Sequence, residues 1–270
     1  MGSRDQVEVL RRWARAGLGA RARDVTAQTT SRSCLVVAPH PDDETIACGA
    51  TICRKTAAGA DVTIVVVSDG SRSHDSQALT LEEIRAIRKA EADQAAERLG
   101  ISGPVRFLGF EDGALPSVVG PVAHRLGELI SELRPDEVFS PHVAEPHPDH
   151  SAVASAVRQA VASSEIAPAL WEYGVWMWSA WPWSGQGGLS TRVREPWRPL
   201  FTSSVVRVST SGRLECKRHA LDAYASQMTQ FRGYSDWKPL PAAFLARFFE
   251  PYELFFPVPN PSVKSVGETG

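Results

Sequence analysis

A chain of 270 residues, 43% hydrophobic and 22% charged, has ordinary globular composition and enough length for a large core. Its formal net charge of -2 excludes a nucleic-acid binder driven by phosphate contacts, and the lack of a long uninterrupted apolar run excludes a transmembrane segment. The length suits one large domain with an elaborated C-terminal part better than two equal domains.

The Arg-rich stretch Met1 to Arg23 lacks the continuous apolar region of a secretory signal. Val7, Leu10, Trp13 and Leu18 predict a short amphipathic helix packed on the body, with a membrane-surface role as the alternative. Residues 24–32 are polar and read as a connector. Cys34 to Ala38 is an apolar run, expected to be a short buried strand that stops at Pro39. A helix follows from about Thr45 to Ala58, capped by Gly59. Asp61 to Ser68 is a continuous β-branched run, the pattern of a strand buried on both faces. After a polar loop containing His74, Thr80 and Glu83 form a capping box that opens a long helix closed by Gly100. Val105 to Gly109, Glu137 to Pro141 and Ala169 to Trp176 are further strands. Helices are expected over 117–134 and from His147 to about Ser163. Beyond these, Ser203 to Ser209 predicts a strand, 212–229 a helix, and the remainder an irregular tail anchored by Phe248, Phe249, Phe255 and Phe256.

Cys34, Cys48, Cys53 and Cys216 contain no C-x-x-C pair. They are expected to be free buried thiols in a reducing compartment, which makes the location cytoplasmic. Strands alternating with helices of ten or more residues give an α/β class with a mainly parallel, doubly wound, Rossmann-like sheet. The commonest order of such sheets sets the strand at 33–38 beside the strand at 137–141, with the order reversing between them. Ligands bind beyond the strand ends at that point.

Two polar clusters about a hundred residues apart therefore converge. The first holds His40, Asp42, Asp43 and Glu44. Three carboxylates at the end of a buried strand are tolerable beside a helix N-terminus, and more so beside a divalent cation. Alone, this cluster could equally be a helix cap with a spare histidine. The second is His147-Pro148-Asp149-His150, where Pro148 suits the first helical position and makes His147 the N-cap. Two imidazoles, a carboxylate and an open position form a catalytic zinc pattern. A second carboxylate can then serve as general base and a neighbouring histidine as oxyanion partner.

The run Ala38-Pro39-His40-Pro41-Asp42-Asp43-Glu44 with the later His147-Pro148-Asp149-His150 resembles the LmbE-like family of N-acetylglucosaminyl-phosphatidylinositol de-N-acetylases. The likeness runs over about residues 33–160 and, more loosely, through Lys217 to Gln227. It implies that His40, Asp43 and His150 bind zinc, although ferrous iron suits the same ligands. It further implies that Asp42 is the general base, that His147 stabilises the tetrahedral intermediate, and that Asp149 orients His147. Some relatives carry an oxyanion-assisting tyrosine where this chain has Glu145, so that contribution is absent unless Tyr173 or Tyr224 replaces it. Arg88, at the position of a family arginine that can reach substrate hydroxyls, joins the substrate set; its alternative is a helix-face ion pair with Glu91. The Pro- and Gly-rich segment 179–188 reads as a lid in which Trp181 and Trp183 stack on substrate. Asp69-Gly70 is a plain turn or a substrate contact. His74, His124 and His219 read as surface or structural, and His142 as structural or a support to the site.

These readings give residues 1–32 as N-terminal helix and connector, 33–178 as the core of one deacetylase domain, and 179–270 as its elaboration. The expected activity is metal-dependent hydrolysis of an N-acetyl or other N-acyl group from an amino sugar in a small glycoside or glycoconjugate. The alternatives are hydrolysis of a non-sugar amide and a non-catalytic sugar- or nucleotide-binding module. A homo-oligomer is compatible with the sequence.

Overall fold

A computed structural model describes residues 3–73, 78–179, 204–234 and 237–259. The elements in chain order are α1 (Ser3–Arg21), β1 (Arg23–Asp24), α2 (Thr26–Thr29), β2 (Cys34–Ala38), α3 (Asp43–Ala57), β3 (Val62–Ser68), α4 (Leu81–Arg98) and β4 (Arg106–Phe110). Then come α5 (Val119–Leu133), β5 (Glu137–Pro141), α6 (Pro148–Ala162) and β6 (Ala169–Tyr173). The C-terminal part adds β7 (Val206–Ser209), α7 (Leu214–Leu221), α8 (Ala225–Met228), α9 (Ala242–Leu245) and β8 (Tyr252–Val258).

The sheet order is β1-β7-β8-β6-β5-β2-β3-β4. The run β6-β5-β2-β3-β4 is parallel throughout, and β2 lies between β5 and β3, so the winding reverses where the sequence reading set it. Alternate residues of the central strands enter two cores. Val36, Ile64, Val66 and Phe139 face the side that carries α3, α4 and α7. Leu35, Val37, Val65, Val67 and Val138 face α5 and α6, packing on Leu126, Ile130, Val153 and Val157. A strand apolar on both faces is stable only when both are covered, and β3 meets that condition. The capping box of α4 is formed: Thr80 Oγ1 accepts from Glu83 N, and Glu83 Oε2 accepts from Thr80 N at 2.8 Å.

Several expectations are corrected. Cys53 and Cys216 form a disulfide linking α3 to α7, while Cys34 and Cys48 are free and buried. The argument from four free thiols to a reducing compartment therefore does not hold. The connector contains β1 and α2. Leu18 is fully buried, but Leu10 and Trp13 point to solvent, so the packed face of α1 is the one carrying Ala14 and Leu18. The strand at 169 ends at Tyr173, and a 3-10 turn follows at Trp176–Ser179. The helix at 212–229 is two, broken around Asp222 to Tyr224. The tail is not irregular: β8 pairs antiparallel with β6 and β7. Its Glu253 accepts N–H bonds from Ala50 at 2.9 Å and Thr51 at 2.8 Å, and pairs with the buried Lys217 at 2.7 Å. Gly49 permits this approach, since a Cβ there would lie 2.8 Å from Lys217 Cγ.

Candidate metal and catalytic site

The turn after β2 and the loop after β5 deliver their side chains to one crevice at the reversal of strand order, each just before a helix N-terminus. Asp43 opens α3, His147 is the N-cap of α6 with Pro148 next to it, and Asp149 lies in the first turn of α6. Free N–H groups at both helix starts favour the negative charge placed there.

His40, Asp43 and His150 meet. Asp43 Oδ2 lies 3.3 Å from His40 Nδ1 and 3.2 Å from His150 Nε2. Zinc bonds of about 2.0–2.1 Å set the edges of a tetrahedral site near 3.3 Å, so these separations fit one ion. His150 is fully buried and neither ring nitrogen makes a hydrogen bond; Nε2, turned towards Asp43, is free to offer its lone pair to a cation. The residues present therefore fit a divalent metal, His40 through Nδ1 and His150 through Nε2. His150 and His40 hold Asp43 well below the usual carboxylate range against its burial.

The opposite nitrogens face carboxylates. His40 Nε2 lies 3.1 Å from Asp112 Oδ1 and 3.2 Å from Asp149 Oδ2. A proton kept on Nε2 leaves the lone pair on Nδ1. Burial works against a charged His40, but bonds to Asp112, Asp149 and Asp43 outweigh it and hold the imidazole well above its ordinary value. His150 Nδ1 faces Glu145 Oε2 at 3.3 Å.

Asp42 stands apart from this group, with a backbone φ of 119°. Its Oδ2 lies 3.4 Å from Arg88 Nη2, and its N–H donates to Glu44 Oε2 at 3.1 Å. Burial pushes the Asp42 carboxyl up to about 7, with Arg88 opposing and Asp43 and Glu44 adding to the rise. A carboxylate poised near neutrality suits a general base. The His147 ring centre is 5.1 Å from that of His40 and 5.0 Å from that of His150. Burial, then the charges on His150 and His40, lowers the pKa of His147.

Other candidates fall differently. Asp149 accepts N–H bonds from Gly113 at 2.8 Å and Leu115 at 3.2 Å, so its hydrogen bonds go to His40 and this turn instead of to His147. Arg88 is buried beside Asp42 and makes no ion pair with Glu91, whose carboxylate accepts from Ser226 N at 2.7 Å and Oγ at 2.6 Å. Arg88 Nε and Nη1 are buried without partners. Tyr224 donates to Glu44 Oε1 at 2.6 Å and Tyr173 to Val37 O at 2.8 Å, so both hydroxyls are engaged elsewhere. Asp69 accepts from Arg85 at 2.6 Å and from Ser71 N at 3.0 Å. His142 packs on Phe256, and His124 is exposed. Trp181, Trp183 and His74 lie outside the described residues. Sequence reasoning missed Asp112 and gave Glu145 no role beyond standing where some relatives carry a tyrosine. Glu145 was visible as a carboxylate two residues before His147, whereas Asp112 had only its place after a strand on the ligand side of the sheet.

A family model for PIG-L, the GlcNAc-PI de-N-acetylases, matches residues 35–161. The 1D-myo-inositol 2-acetamido-2-deoxy-alpha-D-glucopyranoside deacetylase of Rhodococcus erythropolis is 30% identical over 243 residues, 74% of this chain and 82% of that protein. The probable N-acetyl-alpha-D-glucosaminyl L-malate deacetylase 2 of Bacillus cereus is 38% identical over 136 residues, 48% of this chain and 61% of that protein, under two thirds of its length. The N,N'-diacetylchitobiose deacetylase structure from Pyrococcus horikoshii superposes with a TM-score of 0.65, covering 94% of this chain and 92% of that one at 22% identity, a likeness of fold.

Proposed function

Because the chain belongs to the PIG-L family, whose relatives here are deacetylases of amino-sugar derivatives, we propose that it hydrolyses an N-acetyl or other N-acyl group from an amino sugar in a small glycoside or glycoconjugate. The observation that carries this is the division of labour between adjacent residues: Asp43 joins His40 and His150, while Asp42 lies apart against Arg88. A sugar-binding module needs no such second carboxylate.

A divalent ion held by His40, Asp43 and His150, zinc by preference and ferrous iron as the alternative, would supply Lewis acidity and a water acidified towards a pKa of about 7. Asp42 takes the proton of the attacking water and returns it to the departing amine. His147 stabilises the oxyanion that forms at the amide carbonyl. Asp112 and Asp149 hold His40 in the tautomer whose Nδ1 faces Asp43. Arg88, with two unpartnered nitrogens, Nε and Nη1, beside Asp42, offers donors to substrate hydroxyls.

Among the described residues no helix is long and apolar enough to cross a membrane. The test is release of acetate or another acid from a panel of N-acylated glycosides and non-sugar amides, with zinc-loaded and chelator-treated protein. Release from glycosides that stops with chelator is expected. Release from the non-sugar amides alone, or from nothing in the panel, overturns the proposal.

A further inference from the structure

We infer that Glu145 is a positioning residue that ties the metal ligand His150 to the turn leaving β6, an inference that rests on the metal site proposed above. The Glu145 side chain is fully buried. Its Oε1 accepts N–H bonds from Val175 at 2.7 Å and Met177 at 3.1 Å. Its Oε2 accepts from Trp176 N at 3.0 Å and lies 3.3 Å from His150 Nδ1. A carboxylate offers about four lone-pair directions; three here take backbone N–H groups, and the fourth lies beside His150 Nδ1, a buried nitrogen with no hydrogen bond of its own. No other residue type of this size accepts four bonds without donating one.

Two consequences follow from this arrangement. Three backbone N–H groups fix where the carboxylate sits, so they also fix the His150 ring through Nδ1. The acceptor at Nδ1 keeps the ring proton there and leaves the Nε2 lone pair towards Asp43. The same carboxylate closes the Gly174 to Trp178 turn, which Trp178 Nε1 also ties by donating to Gly174 O at 2.9 Å. That turn carries Trp176, stacked on Phe244 with ring centres 4.6 Å apart, and leads into the segment beyond Ser179. The proposed metal ligand and this turn therefore share one anchor.

Glu145→Gln breaks the tie whichever way the amide lies. With its NH2 towards His150, the imidazole must accept at Nδ1 and carry its proton on Nε2, where the metal belongs. With its NH2 towards Val175 and Met177, two buried N–H groups lose their acceptor and the turn opens. The experiment measures zinc affinity by chelator competition in wild type, Glu145→Gln and Glu253→Gln. The last also removes a buried carboxylate that accepts two backbone N–H bonds, but far from the metal. Zinc binding should weaken about 10- to 100-fold in Glu145→Gln, the usual cost of losing a partner of a ligating histidine, and stay unchanged in folded Glu253→Gln. Nitrogen NMR of zinc-loaded wild type should find the His150 proton on Nδ1, a reading that needs no variant to fold. Unchanged affinity in folded Glu145→Gln, an equal loss in Glu253→Gln, or a proton on Nε2 in wild type overturns the inference. A wild type that binds no zinc removes the metal site itself.

Discussion

Asp42 occupies φ 119° and ψ -29° immediately before α3, a conformation that side chains other than hydrogen rarely adopt. Asp42→Gly is therefore expected to be more stable than Asp42→Asn, both having lost the base and the charge partner of Arg88. Holding a non-glycine residue in such a region costs about 1–3 kcal/mol. Glycine returns about 0.5–1 kcal/mol through the greater freedom of its unfolded chain. The net gain over Asp42→Asn is up to about 2.5 kcal/mol, a rise in Tm of up to about 10 °C at ~2–4 °C per kcal/mol for chains near this size. Asp42→Asn keeps the backbone strain and gains nothing from its relief. Both variants should lose a factor of about 10² to 10⁴ in kcat, or ~2.7–5.5 kcal/mol of transition-state stabilisation. Thermal melts of wild type and both variants at matched metal content, with acyl-release assays alongside, make the comparison. A glycine variant that melts at or below Asp42→Asn would refute the strain argument, and near-wild-type turnover in either would remove Asp42 as the base.

Asp43→Asn should lower zinc occupancy, with activity partly restored by excess metal, whereas Asp42→Asn stays fully loaded; elemental analysis showing the reverse pattern would exchange the two roles. Lys217→Met leaves the Glu253 charge buried with only N–H and O–H donors around it. The expected loss is about 3–5 kcal/mol, read as a fall in Tm of about 6–20 °C, and a shift under a degree or two would show that the pair contributes little. Cys53→Ala with Cys216→Ala removes a crosslink between residues 163 apart. It should cost about 2–4 kcal/mol in denaturant titration, and identical midpoints for the double variant and the oxidised wild type would contradict this.

The parallel half of the fold was legible because its signals are local. The run Val62 to Ser68 is apolar on both faces, Thr80 and Glu83 are three apart, and Pro148 follows His147. Each specifies its own element whatever lies around it. The C-terminal half was not, because its order is set by pairing at long range. Tyr252 to Val258 holds Phe255 and Phe256 but also Pro257, and proline weakens a strand reading. Its place between β6 and β7 depends on Glu253 reaching the amides of Ala50 and Thr51 some two hundred residues away. The disulfide is a case of the same kind: Cys53 and Cys216 meet only because α7 packs on α3. Trp13 misled in the other direction, since helical spacing marks a face as apolar without saying that anything covers it.

The site divides along the same line. His40, Asp43, His147 and His150 were visible because imidazoles and carboxylates at a helix start are costly without a purpose, and because the expected strand order brings the two clusters together; neither cluster alone pointed to chemistry. Asp112 carries no spacing signal, and Glu145 only its place two residues before His147. Each is a single acidic residue in a loop, and its role exists only once β4 and β5 have brought those loops to the crevice. Asp149 shows how far a motif reaches. Its place between two histidines made His147 the obvious partner, but a residue in the first turn of a helix points where that turn faces. Here it faces Gly113, Leu115 and His40. The proposed ligands are thus written in the sequence as short motifs, and the carboxylates that face their outer nitrogens are written in the topology. Changing Asp112 or Glu145 should for that reason alter how well the metal is held before it alters the chemistry at Asp42.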